Sequence, residues 1–204
     1  MKQIATLLLV ALCAVAPSFG QSVERKALVA LCDPAKIATL QSERAANPRI
    51  RKIAYWLEVA RLDGKSPDAE MAATMEAIGW GGTLKGQLTA AAMARNRTIA
   101  ERLGCLDAEG MELLRRGRAP TITRRPYAGE KLTVDHIIPR AVVPSLDLVL
   151  ANLELMPHSL NLRKGAKVGQ RQLDMANKLQ AAGLLTVEDL DVIIERQTSG
   201  YAGN

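Results

Sequence analysis

From Ser22 to about Arg116 apolar residues recur at helical spacing. Ala, Leu, Glu, Arg and Lys dominate, and runs of β-branched residues are absent. Asp33-Pro34 and Ser66-Pro67 each place a capping side chain ahead of a proline suited to a first helical turn. Ile53, Trp56, Leu57 and Ala60 mark the core-facing side of a helix that Gly64 can end. Further helices are predicted from about Leu84 to Leu103 and from Asp107 to Arg116. Trp56 and Trp80 read as core anchors, since aromatic residues make up only 3% of the chain. The acidic stretch Asp63 to Glu70 lacks calcium-ligand spacing and reads as a turn between helices.

The texture changes at Arg118. Lys131 to Val134 is a short strand candidate, and Asn152 to Met156 a second, alternating one, with a loop from Pro139 to Ala151 between them. A helix is predicted from near Pro157 to about Ala182, broken at Gly165 or Gly169. Thr186 and Asp189 open a last helix through about Glu195, and Ser199 to Asn204 form a tail. The pattern predicts an α+β fold, mostly α. It divides into a leader at 1–20, a helical region at 21–118, a mixed region at 119–175, and helices with a tail at 176–204.

The leader has Lys2 ahead of an apolar run from Ile4 to Val15, then Pro17-Ser18-Phe19-Gly20. This is the pattern of a cleavable export signal, too short for a membrane span. Leu12 before Cys13 does not suit a lipoprotein. The expectation is therefore a periplasmic or secreted protein with no membrane span. Export makes a Cys32–Cys105 disulfide one alternative and two free buried thiols the other. Asn96-Arg-Thr98 is a formal glycosylation sequon, relevant only in a eukaryotic host.

Charge is uneven. Residues 115 to 171 carry eleven Lys and Arg against four Asp and Glu, so the excess positive charge of the mature chain lies there. A field of that sign attracts phosphate backbones. The only two histidines, His136 and His158, fall in the same stretch, within Thr133-Val-Asp-His-Ile-Ile-Pro-Arg140 and Asn152-Leu-Glu-Leu-Met-Pro-His-Ser-Leu-Asn161-Leu-Arg-Lys164-Gly165. Imidazole is the side chain best suited to proton transfer near neutrality.

Residues 133 to 165 resemble the HNH nucleases in Asp135-His136 followed by Ile-Ile-Pro, in Asn152, in Asn161 nine residues later, and in Lys164-Gly165. The resemblance covers about one sixth of the chain, and the flanking cysteine pairs frequent in that family are missing. It implies a ββα-metal core and phosphodiester hydrolysis with one divalent cation, Mg²⁺ or Mn²⁺. His136 would be the general base, and Asn152 would orient its ring through a main-chain or amide oxygen. Asp135 and Asn161 would bind the ion through oxygen. His158, three before Asn161, either touches the same ion or the substrate, or caps the helix start or sits at the rim. Alternation along a strand sends Asp135 and His136 to opposite faces unless the strand ends there.

Lys164, Lys167 and Arg171 form a basic stripe, and with Arg163, Arg140, Arg124 and Arg125 they are candidate phosphate contacts. Such contacts position a strand without reading its bases. The expected partner is DNA, with RNA open. The competing readings are a non-catalytic nucleic-acid-binding protein and a nuclease toxin.

Overall fold

Side-chain caps set the starts of most N-terminal helices. Ser22, Asp33, Ser66, Thr83 and Asp107 each accept a hydrogen bond from a first-turn amide. The computed structural model describes residues 22–201. The export signal expected at 1–20 and the end of the tail lie outside the described residues. The caps open α1 (Val23–Cys32), α2 (Pro34–Ala38), α4 (Pro67–Ala77), α5 (Leu84–Arg102) and α6 (Ala108–Arg115), with α3 (Asn47–Leu62) between α2 and α4. Gly64, at φ +72°, takes the left-handed conformation that closes the turn after α3.

Two strands follow, β1 (Leu132–His136) and β2 (Leu153–Pro157), paired antiparallel with Leu132 opposite Pro157 and His136 opposite Leu153. Then come α7 (His158–Lys164), α8 (Gln170–Ala181) and α9 (Val187–Tyr201). The break between α7 and α8 spans both predicted glycines. Three boundaries differ from the sequence expectation. β1 continues to His136 because the ladder holds through Glu154 and Leu153. Asn152 closes a 3-10 turn, Leu150–Asn152, instead of opening the strand. The last helix runs on to Tyr201. The described residues are mostly helical with one small antiparallel sheet, an α+β fold weighted to α.

The sheet has one face in the main core. Leu132, Val134, Leu153 and Leu155 pack with Leu28, Ile50, Ile53, Leu57 and Met93 of the helical region, so this cluster draws on both sides of Arg118. Trp56 and Trp80 border it, half-buried, as core anchors. A second cluster joins Ile138, Val143, Leu146 and Ala151 of the connecting loop to Ala176, Leu179, Leu185 and Ile193 of the C-terminal segment.

Asn96 on α5 fastens the free edge of β2. Its carboxamide accepts from Leu155 N at 2.5 Å and donates to Leu153 O at 3.0 Å and Ala92 O at 2.8 Å, with the residue fully buried. The sequon asparagine is therefore an interior hydrogen-bonding group whose nitrogen is already committed. No helix among the described residues is long and apolar enough to cross a membrane.

The disulfide is not formed. Cys32 Sγ lies 3.9 Å from Met93 Sδ, and Cys105 Sγ lies 3.6 Å from Thr121 O; both are free and buried. Each thiol fills its own place in the core, and burial pushes both up to about 12, leaving them protonated and unreactive. Alkylation without reductant, read by peptide mass, should leave Cys32 and Cys105 unmodified in the native protein. It should modify both once the chain is denatured. Peptides that stay unmodified in denaturant until a reductant is added would restore the disulfide.

Candidate active site at the strand end

The pleat of β1 divides the site. Thr133 and Asp135 leave one face of the sheet, while Val134 and His136 leave the other, toward the core side. On the outer face lies α7. Asn161 Nδ2 donates to Thr133 Oγ1 at 3.2 Å and reaches Val134 O at 3.5 Å. Lys164 Nζ stands 2.8 Å from Asp135 Oδ2 and donates to the main-chain oxygen of His136 at 2.6 Å. Asp135 and Lys164 are both largely withdrawn from solvent, with side chains 11% and 14% exposed. The contact at Asp135 is an ion pair without a well-directed hydrogen bond, since Oδ2 is buried and has no hydrogen-bond donor aligned on it.

His136 is buried, and its Nε2 faces Asp147 alone. The ring nitrogen is 3.2 Å from the Asp147 main-chain oxygen and 2.9 Å from its Oδ1. The N–H direction suits the main-chain oxygen, with the carboxylate beside it. Asp147 is held in turn by Arg44, whose amide donates to Oδ2 at 2.8 Å from a left-handed residue at φ +57°. A surface cavity of about 330 Å³ adjoins this pair, lined by Glu43, Arg140, Ser145 and Asp147 among others. No described group makes a hydrogen bond to His136 Nδ1, and the His136 side chain is 9% exposed.

Asp147 therefore stands where Asn152 was expected. Asn152 does not touch the imidazole. Its Oδ1 accepts from Ile138 N at 2.8 Å, its Nδ2 donates to Ile138 O at 3.0 Å, and its own carbonyl accepts from Ile137 N at 2.8 Å. A carboxamide has one strong acceptor and one donor group aligned like a peptide, and here it extends the strand ladder past His136. Sequence carried one signal for Asp147: it is the only acidic residue between Asp135 and Glu154.

His158 is exposed at the first position of α7, and its ring makes no hydrogen bond among the described residues. It does not cap the helix either, because Glu130 does: its carboxylate accepts from Ser159 N and Oγ, both at 2.9 Å. The basic candidates separate into two groups. Arg171 Nη2 clamps the buried Glu154 at 2.6 and 2.7 Å, and Arg140 pairs with Glu43 at 2.7 Å, which raises its guanidinium pKa. Arg124, Arg125, Arg163 and Lys167 are exposed and pair with no carboxylate among the described residues. Glu154, directly opposite Asp135, also faces Arg95 at 3.3 Å, a guanidinium whose pKa burial lowers.

Asp135 and Asn161 are the residues that could hold a metal. Asn161 spends its nitrogen on β1, and no described group donates to its Oδ1, so carboxylate and carboxamide oxygens both remain as hard donors. No three His, Cys, Asp or Glu side chains converge among the described residues. The donor set fits an ion such as Mg²⁺ that keeps water and takes phosphate oxygens for the rest of its shell. Comparison with protein-family models, with curated proteins and with solved structures finds no match for this chain.

Replacing Asn152 by Ala strands the Ile138 N–H and C=O in a buried place. The expected cost is about 2–4 kcal/mol, with loss of exchange protection at the Ile138 amide. Urea denaturation and hydrogen exchange measure both. A cost below about 0.5 kcal/mol would mean the loop is held by other contacts.

Proposed function

We propose that this chain is a divalent-metal-dependent endonuclease of the HNH type, hydrolysing phosphodiester bonds in DNA, with RNA left open, and with little sequence specificity. The observation that carries this reading is one arrangement. A buried carboxylate and an imidazole anchored by one nitrogen are consecutive at the end of β1, on opposite faces of the strand, and the helix after β2 brings Asn161 to Thr133 and Lys164 to Asp135 and the His136 main-chain oxygen. In this reading β1, β2 and α7 form the ββα unit expected from the motif order.

His136 is the general base. Its Nε2 stays with Asp147, and its open Nδ1 takes the proton of the water that attacks phosphorus. Asn152 acts one step away, fixing the Ile137–Ile138 backbone and so the direction in which β1 delivers the ring. Asp135 and Asn161 hold the divalent ion, Mg²⁺ or Mn²⁺. When bound, the ion stabilises negative charge on the phosphoryl oxygens and the departing oxygen. Arg124, Arg125, Arg163 and Lys167 contact phosphates along the strand without reading bases. Arg140 and Arg171 first serve internal ion pairs, and His158 takes no part. In this reading the apolar stretch at 1–20 is an export signal and the activity lies in the periplasm or outside the cell.

The purified protein incubated with supercoiled plasmid should nick it in Mg²⁺ or Mn²⁺ and stop in EDTA. His136→Ala should cut at least about 100-fold more slowly while still retarding the plasmid, since a positioned base contributes a factor of that order. Plasmid retarded but uncut under every metal would turn the reading to a non-catalytic binding protein. Unchanged cutting by His136→Ala would remove His136 as base.

A further inference from the structure

Lys164 stands against the carboxylate that the metal proposed above would use. Its ammonium is 2.8 Å from Asp135 Oδ2, the carboxylate of the candidate metal position, in a pair whose side chains are 14% and 11% exposed. A carboxylate so withdrawn from water requires a counter-charge, and the fold supplies one from its own chain. The same ammonium donates to the His136 main-chain oxygen at 2.6 Å, so it is anchored beside the base as well. Lys164 sits in the last turn of α7, one turn beyond Asn161, the other candidate ligand. It is followed by Gly165 at φ +53°, where α7 ends. Helix α7 thus carries both one candidate ligand and the cation paired with the other.

We infer that Lys164 is a built-in competitor of the divalent ion. It neutralises Asp135 in the metal-free protein, and the ion must displace it from the carboxylate. This rests on the metal site proposed above and adds a regulator to it. The physical basis is charge. A single cation beside Asp135 satisfies the carboxylate, whereas an ammonium and a divalent ion within a few ångströms repel strongly in a site shielded from solvent. Metal affinity is therefore set against the Lys164–Asp135 pair, and removing the ammonium strengthens metal binding. A lysine that merely contacted substrate phosphate would leave metal affinity unchanged when removed. Once displaced, the flexible lysine stem lets the ammonium turn toward a phosphate oxygen, consistent with its place on the basic stripe.

The test is calorimetric titration of the protein with Mn²⁺ alone, without nucleic acid, for the wild type, Lys164→Met, Lys164→Gln, Lys164→Arg and Asp135→Asn. Both neutral variants should bind Mn²⁺ on the order of tenfold more tightly or better, the gain expected when a screened unit charge beside the site is removed. Lys164→Arg, which keeps the charge, should stay within about threefold of the wild type, and adding Asp135→Asn to Lys164→Met should cancel the gain. Thermal melting in EDTA identifies any variant that fails to fold, and Lys164→Gln replaces Lys164→Met in that event. Equal or weaker Mn²⁺ binding by the neutral variants, with Asp135→Asn still weakening it, would overturn the competitor role and leave the metal site standing. No Mn²⁺ binding by any variant at millimolar concentration would remove the metal site and the competitor together.

Discussion

The clamp between Asn152 and the Ile138 peptide is the interaction on which the site depends. A strand ending at His136 would ordinarily release its next peptides to water or to a turn. Here they enter the interior, where each unpaired N–H or C=O carries a desolvation cost. The fully buried Asn152 meets that demand with its side chain and its own carbonyl together, closing the fifteen-residue excursion of the loop onto the strand from which it left. Everything nearby inherits its direction. With Ile138 fixed, the loop packs Val143 and Leu146 against α8 and α9, and the 3-10 turn at Pro144–Leu146 presents Asp147 to the imidazole. The asparagine thus acts on His136 through the backbone, which explains why it is indispensable to the geometry without touching the ring.

Charge supplies the second constraint. Asp135 and Glu154 face each other across the two strands, an arrangement that is unfavourable for like charges on neighbouring positions. Each has its own cation from a different element: Lys164 from α7 for Asp135, and Arg171 from α8 with Arg95 from α5 for Glu154. These pairs draw α7 and the start of α8 over the outer face of the sheet, which apolar packing alone leaves poorly specified, since no residue of the seven-residue α7 is buried. Buried ion pairs add little net stability over apolar contacts, but breaking one leaves an uncompensated charge. Their contribution here is to fix which helix lies where.

Much of this was legible from the sequence. The helix caps, the two strand segments and the order of motif residues all rest on local chemistry, and Asp33, Ser66 and Thr186 each accept a first-turn amide while His158 caps nothing. What escaped depends on distance along the chain. Asp147 reaches His136 across eleven residues of loop, and Arg44 reaches Asp147 from more than a hundred residues away. The partners of Arg140 and Arg171 likewise come from other elements, so a stripe of basic residues could not reveal which were already engaged. The Asn152 assignment failed for a related reason. Its spacing marked it as important, but the group it serves is the peptide after the histidine rather than the ring. The cysteines had no local signal at all, because pairing or burial is decided by where helices pack.

The helical region before Arg118 also has a physical reason to be there. A two-stranded ribbon has too little apolar surface to be stable alone in water. Its inner face here rests on α3 and α5, and Asn96 satisfies the edge of β2 that β1 leaves unpaired. The outer face is then free to carry carboxylates and cations, because the inner one already supplies the hydrophobic anchorage. That division assigns stability to the N-terminal helices and the candidate site residues to the short unit of strand, loop, strand and helix. It also accounts for the position of Arg44, at a turn of the scaffold: its amide fixes the carboxylate that lies beside the candidate base. The scaffold thus reaches the His136 ring through one hydrogen bond to Asp147.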